Sequence, residues 1–361
     1  MKKLVLLALC CAAFLPAADV QSPQVRPDRT TVFRFVAPYA KAVTVEGDWR
    51  KPGETIAMTK DADGVWTATA GPFEPGAYIY GYSVDGEATP DPRNPFPKLR
   101  AAGVGSLLEI PGASPWETRD VPHGEVRILF EKSKALHGET RWMFVYTPPG
   151  YDQNAKRKYP LLYLLHGSND TAAGWVTVGS ANYILDNLIA DGKAKEMVVV
   201  MPFGHAVPYG TPPGQGPSNT DVFERYLLED VMPLIESRFR VLPGSANRAI
   251  VGLSMGGGQS LTIGFRNLDK FDAIGAFSAA APSDFEQQFA AELADPKGLN
   301  KKLKLLWFAC GRDDRLMERS EKLHELLEAK GVRHTFKPTP GVHNYAAWRE
   351  YLNEVAPLLF R

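Results

Sequence analysis

Residues 249–258 read Ala-Ile-Val-Gly-Leu-Ser-Met-Gly-Gly-Gly, an apolar strand-like run that breaks into glycines around a single serine. Gly252-Leu-Ser254-Met-Gly256 is a Gly-x-Ser-x-Gly pentapeptide between a buried strand and a helical run. A serine on a sharp strand-to-helix turn presents its hydroxyl from strained backbone, and the glycines let the chain pass close to itself. The helix that follows aims its N-terminus at the same point, which favours negative charge there. A hydroxyl attacks poorly until a base takes its proton. On such a sheet the partners follow in the order serine, acid, histidine. The apolar run 303–309 leads into Cys310-Gly-Arg-Asp313-Asp314, and the run 334–338 into Gly341-Val-His343. His343 is therefore the expected general base, and Asp313 or Asp314 the carboxylate that orients it. An oxyanion needs preorganised donors, expected from the backbone N–H of Met255 and of Ser168, the latter in the loop His166-Gly-Ser168.

Trp175, His205, Tyr209, Tyr345 and Trp348 fall in or near loops on the same edge and are candidate substrate contacts, with Trp348 equally able to anchor the last helix. His166 ends a buried strand and is expected to support its loop. The histidines show no metal-ligand spacing, so neither metal nor cofactor is expected.

The elements that must position these residues begin near residue 124. Strand patterns at 126–130 and 141–147 precede apolar strands at 161–165, 197–201, 249–251, 273–278, 303–309 and 334–338. Helical periodicity separates them, notably at 181–190, 221–239, 317–330 and 345–359. Apolar strands alternating with helices predict a three-layer α/β/α domain over 124–361, with a mostly parallel sheet of the α/β-hydrolase type. Residues 24–110 read differently: short alternating strands between Gly, Asp and Pro turns predict a β-sandwich of immunoglobulin-like form. Its aromatics Trp49, Trp66, Tyr78 and Tyr80 are candidate glycan platforms, although at strand spacing most aromatics belong to a core. Pro111, Gly112, Pro115 and Pro122 mark 111–123 as a linker.

Lys+Arg and Asp+Glu are equal at 41 each, so no basic excess points to nucleic acid. Lys2 and Lys3 followed by an apolar run to Leu15 predict a signal peptide over residues 1–22 and a secreted or periplasmic protein without a membrane anchor. Lipidation at Cys10 or Cys11 is the weaker reading, because Leu9 stands where a small residue belongs. Leader removal would leave Cys310 alone, so no internal disulfide is expected.

Taken in order, several segments resemble the family-1 carbohydrate esterases, which include feruloyl and acetylxylan esterases and relatives of esterase D. They are Tyr146-Thr-Pro-Pro-Gly-Tyr151, Leu164-Leu-His-Gly167, Asp186-Asn-Leu-Ile-Ala190, Val200-Met-Pro202, 249–259, Phe308-Ala-Cys-Gly311 and 341–348. The resemblance implies an acyl-enzyme mechanism through Ser254, Asp314 and His343, and it is what singles out Asp314 over Asp313. It also implies plant cell-wall polysaccharide or esterified xylooligosaccharide as partner, with feruloyl or related hydroxycinnamoyl esters of arabinoxylan as the leading substrate. Acetylated xylan, a small ester of the enterochelin kind, or xylan binding by an inactive hydrolase are the alternatives. Gly47-Asp-Trp49 and Asp91-Pro-Arg-Asn-Pro95 resemble the early-set domains related to family-48 carbohydrate-binding modules. The loop after His166 departs from the family in lacking a glycine pair.

Overall fold

Side-chain alternation decides how the larger domain is layered. Every residue of the strand Leu161–Leu165 is buried, and successive side chains go to opposite faces. Leu161, Tyr163 and Leu165 join one apolar cluster with Phe223, Ile263 and Leu327, whereas Leu162 and Leu164 join another with Ile184, Leu352 and Val355. A strand with two dry faces requires helices on both sides. Helices Ala181–Ala190 and Tyr345–Val355 cover one side, and Met255–Arg266 and Met317–Ala329 the other.

The structure is a computed structural model describing residues 20–50, 53–212 and 214–361. Its main sheet has eight strands in the spatial order Glu125–Lys132, Thr140–Thr147, Val198–Pro202, Leu161–Leu165, Arg248–Leu253, Ala273–Phe277, Leu305–Gly311, Thr335–Thr339. The first two pairings are antiparallel and all later ones parallel. Parallel strands bring their C-terminal ends to one edge, where the loops carrying residues 166–170, 203–209, 254, 311–314 and 341–344 emerge. The helix expected over 221–239 is interrupted: a π-helical turn at Tyr226–Val231 separates Asn219–Arg225 from Met232–Arg238. Pro233 has no amide proton for its fourth predecessor, and the wider turn absorbs the loss.

The smaller domain is a separate β-sheet unit. One antiparallel sheet runs Gln24–Val25, Thr31–Val36, Val65–Ala70, Thr59–Lys60. The other runs Thr55–Ala57, Val43–Gly47, Gly76–Val84, Val104–Ile110, Pro97–Leu99. Both contribute to one core around Phe33, Val45, Trp66, Tyr80 and Leu108. Val20 and Ser22 are buried, and the Ser22 hydroxyl donates to Asp91 at 2.7 Å, so this domain takes in residues that a leader ending at 22 would remove. Residues 1–19, which carry the rest of the expected leader with Cys10 and Cys11, lie outside the described residues.

The linker is packed rather than loose. Trp116 is buried in the larger domain's core, and Asn187 donates to the carbonyls of Pro115 and Glu117 at 2.8 and 2.9 Å. Buried Arg349 forks onto Glu109 of the smaller domain at 2.6 and 3.0 Å. Among the described residues, no helix is long and apolar enough to cross a membrane.

Candidate active site

Ser254 stands where the strand Arg248–Leu253 stops and the helix Met255–Arg266 starts. Its backbone has φ 51° and ψ −114°, a conformation that L residues rarely hold. Three hydrogen bonds keep it there. The Ser254 amide donates to Phe277 O at 2.8 Å, and the amides of Gly258 and Ala280 donate to Ser254 O at 3.0 and 2.9 Å. The turn closes only around glycine: a Cβ on Gly252 would lie 2.3 Å from the Gly256 carbonyl oxygen, and one on Gly256 2.5 Å from that of His166.

His343 Nε2 lies 2.9 Å from Ser254 Oγ, and its Nδ1 lies 2.8 and 3.0 Å from the two carboxylate oxygens of Asp314. The Leu316 amide donates to the same carboxylate at 2.8 Å. Burial opposes the charge on Asp314, but the His343 contact and the Leu316 N–H outweigh it and hold the carboxyl below its usual range. With Nδ1–H donating to the carboxylate, Nε2 turns its lone pair to the serine hydroxyl. Asp313 is exposed, and its amide donates to Gly341 O at 3.2 Å. Of the two adjacent aspartates, Asp314 is the one that meets the imidazole.

The amides of Met255 and Ser168 donate to no other described protein group. Gly167 brings the Ser168 loop against the serine turn, since a Cβ on it would lie 3.2 Å from Ser254 Cβ. His166 Nδ1 donates to Gly167 O and its Nε2 accepts from Gly204 N, both at 2.8 Å. Burial pulls the His166 pKa down to about 4, so a neutral ring clips the two loops together. No group of three or more His, Cys, Asp or Glu among the described residues is placed to hold a metal ion.

Three aromatics expected near substrate belong to the frame instead. Trp175 is fully buried in the short helix Gly174–Thr177 and donates its indole N–H to Leu165 O at 3.0 Å. Tyr345 is buried with its hydroxyl donating to Asp170 at 2.7 Å. Trp348 is buried, donates to Ser278 Oγ at 3.0 Å and meets the His343 ring edge-on at 5.0 Å. Helix register turns both of the latter inward, which their spacing from His343 does not reveal. His205 is buried between Phe203 and Tyr209, whereas Tyr209 is exposed. In the smaller domain Trp66, Tyr78 and Tyr80 lie in the core and offer no glycan platform. Trp49 is half-buried, its ring stacked on Phe33, and it lines a cleft between the domains. That cleft, about 520 Å³, is bordered by Asp48, Trp49 and Arg100 on one side and by Arg315, Val342 and His343 on the other.

Sequence reasoning misses Asn219. It accepts from the amides of Ala206 and Val207 at 2.8 and 3.2 Å and donates to Gly204 O at 3.0 Å, tying the 204–207 loop beside Met255. A polar residue opening a helix looks like an ordinary cap, so no local signal marks it. Asp170 and Lys98, an ion pair between the domains, are missed as well, because 72 residues separate them.

Chemically, the line from Asp314 through His343 to Ser254 suits one operation above others: moving a hydroxyl proton onto imidazole while a carboxylate steadies the cation. That is the working part of serine hydrolases built on α/β sheets. Residues 133–359 match the family described as putative esterase, and residues 21–96 match carbohydrate-binding module 48, the isoamylase N-terminal domain. An endo-1,4-β-xylanase/feruloyl esterase of Xylanibacter ruminicola is 33% identical over 351 residues, 94% of this chain, while the chain spans 46% of that relative's length. A solved family-1 ferulic acid esterase from the anaerobic fungus Anaeromyces mucronatus is 28% identical, with a TM-score of 0.59 over 68% of this chain and 93% of its own. An enterobactin esterase from Shigella flexneri covers 92% of both chains with a TM-score of 0.67 at 18% identity, a likeness of fold. The chain belongs to the putative esterase family, as a family-1 carbohydrate esterase domain behind a module of the family-48 carbohydrate-binding type.

Proposed function

We propose that the protein hydrolyses carboxylic esters through an acyl-enzyme on Ser254, releasing ferulate or a related hydroxycinnamate from arabinoxylan. His343 Nε2 takes the Ser254 proton as Oγ attacks the ester carbonyl. The negative charge moves to the carbonyl oxygen, where the N–H groups of Met255 and Ser168 receive it. Collapse breaks the bond to the sugar oxygen, which takes the proton from His343 and departs as the alcohol, leaving the feruloyl group esterified to Oγ. Water, deprotonated by the same imidazole, then repeats the sequence and frees the acid. Asp314 keeps Nδ1 protonated and steadies the imidazolium in both halves.

The contact that carries this reading is the 2.9 Å separation of His343 Nε2 from the oxygen of a serine at positive φ. The bulky acyl group is supported by the names of the relatives and by a cleft of about 520 Å³ opening at His343, ample for a ring and its sugar. The smaller domain is read as an immunoglobulin-like early set that helps hold the polysaccharide, and the protein as exported by a leader over its first residues.

Ser254→Ala tests the mechanism. Turnover of methyl ferulate should fall on the order of 10⁴-fold or more with the melting temperature kept, and a fluorophosphonate should label Ser254 of the wild type alone. A folded variant that retains activity would remove the nucleophile from this account. Rates on feruloylated and acetylated xylooligosaccharides, compared side by side, test the acyl group. A preference for acetyl overturns the feruloyl assignment and leaves the mechanism standing.

A further inference from the structure

The 168–170 loop is held from outside its own domain. Lys98, in the strand Pro97–Leu99 of the smaller domain, sends its ammonium group onto the Asp170 carboxylate, and the two side chains are only 3% and 6% exposed. The remaining capacity of that carboxylate is taken up nearby. The Thr171 amide donates to it at 2.6 Å and the Tyr345 hydroxyl at 2.7 Å. The Lys98 ammonium also lies 5.2 Å from the centre of the Tyr345 ring. Gly174 leaves the room this requires, because a Cβ there would stand 2.4 Å from Asp170 Oδ1 and 2.6 Å from Tyr345 Oη. One residue earlier, Asn169 holds φ 54° while its side-chain oxygen accepts from the Ala102 amide of the smaller domain at 3.2 Å.

Two consequences meet at the reacting centre. Asp170 lies two residues after Ser168, and Tyr345 two residues after His343, so one lysine braces the oxyanion loop and the segment behind the base. The burial is also expensive without a purpose: an ion pair taken out of water yields little net stability, and removing one partner leaves a charge stranded. We infer that Lys98 is a positioning residue of the esterase site, fixing through Asp170 and Tyr345 the loop whose Ser168 N–H receives the oxyanion. The smaller domain thus completes the active site as well as flanking it. The inference rests on the esterase reading given above.

The test compares Lys98→Met, Asp170→Asn, their combination and Glu109→Gln in the full chain. Each is assayed for kcat and KM on methyl ferulate, for inhibition by an aryl boronic acid that forms a tetrahedral adduct on serine, and for melting temperature. Lys98→Met should lower kcat about 10- to 100-fold, weaken the boronate by a similar factor and leave KM within about twofold, because a loop displaced by roughly an ångström fails the tetrahedral species most. The double variant should be no worse than Lys98→Met, since both act through one contact. It also buries no unpaired charge, so it carries the same readouts if Lys98→Met does not fold. Glu109→Gln loosens the Arg349 contact at another point of the interface and should lower the melting temperature while kcat stays within about twofold. A folded Lys98→Met or double variant with wild-type kcat and boronate affinity would overturn the inference, and so would an equal loss in Glu109→Gln. Failure of the wild type to turn over any ester would bring down the esterase reading itself, a separate result.

Discussion

Each domain buries an aspartate among hydrogen-bond donors, and the surroundings give the two different work. In the smaller domain, Asp91 Oδ2 accepts from Ser22 Oγ and Tyr80 Oη at 2.7 Å each and from Tyr82 Oη at 3.2 Å. The Asp91 amide donates to Ser106 Oγ at 2.8 Å, and all of these partners are buried. Burial, reinforced by the neighbouring carboxylate, pushes the Tyr80 and Tyr82 hydroxyls far above the usual tyrosine range, so their protons stay in place. Asp314 is as deeply buried, yet it faces an imidazole whose other nitrogen meets a strained hydroxyl beside an open cleft. A buried, satisfied carboxylate is by itself a structural device. It serves chemistry when a titratable group relays its charge to a place a substrate can reach.

Asp314→Asn strikes the active member of the pair and should have the largest effect. An amide in that position can donate to Nδ1, which turns the Nε2 proton toward Ser254 and removes the base. The turnover of methyl ferulate should fall about 10³- to 10⁴-fold while the melting temperature changes little. A loss below tenfold would mean that Asp314 does no more for His343 than Asp91 does for its tyrosines.

His166 sharpens the contrast from the side of stability. Its folded pKa, about 4, lies below the 6.5 of a free imidazole, so between these values the unfolded chain binds the extra proton. Its share of stability is whole above pH 6.5 and drains away as the pH falls toward 4, by up to about 3 kcal/mol. Urea denaturation of the wild type and His166→Gln across that window should show a shallower slope for the variant. Equal slopes would place the acid sensitivity on other groups.

Asp91→Asn breaks the structural member. It removes an acceptor for clustered hydroxyl donors and should cost about 1–3 kcal/mol in urea denaturation, with kcat/KM on a small soluble ester within about twofold of wild type. A drop in turnover without a drop in stability would show that the smaller domain reaches the chemistry through this cluster rather than through Lys98.

What the sequence makes legible follows from the range of the interactions. Ser254 and its glycines are a local solution to a local steric problem, so five residues announce them. The α/β order of the larger domain is legible because apolar runs and helical periods are also local. The strands Pro97–Leu99 and Val104–Ile110 carry no such pattern, with Gly103 and Gly105 at the start of the second, and they appear only in the folded pairing. Lys98 and Asp170 are 72 residues apart, and neither has a neighbour that hints at the other. Trp175, Tyr345 and Trp348 mislead for a different reason. A flat ring near a reacting residue looks like a platform, while its use depends on a helix rotation that spacing alone leaves open.

Asp313 gives the smallest expected effect and the finest test of the comparison, because it differs from Asp314 by one position and no chemistry. The strand Leu305–Gly311 ends at a tight crossing: a Cβ on Gly311 would lie 2.2 Å from the Gly341 carbonyl oxygen. The chain then turns, the Asp314 amide donating to Gly311 O at 3.1 Å, and this turn sends Asp314 inward and Asp313 out to the cleft wall. A carboxylate in water is screened by solvent and salt, so its influence on the imidazole is weak. Asp313→Asn should therefore keep kcat within about twofold and leave the pH profile of kcat/KM in place. A shift of that profile toward lower pH, lost again in high salt, would show that the exposed charge still reaches His343 and that burial separates the two aspartates less completely than their hydrogen bonds do.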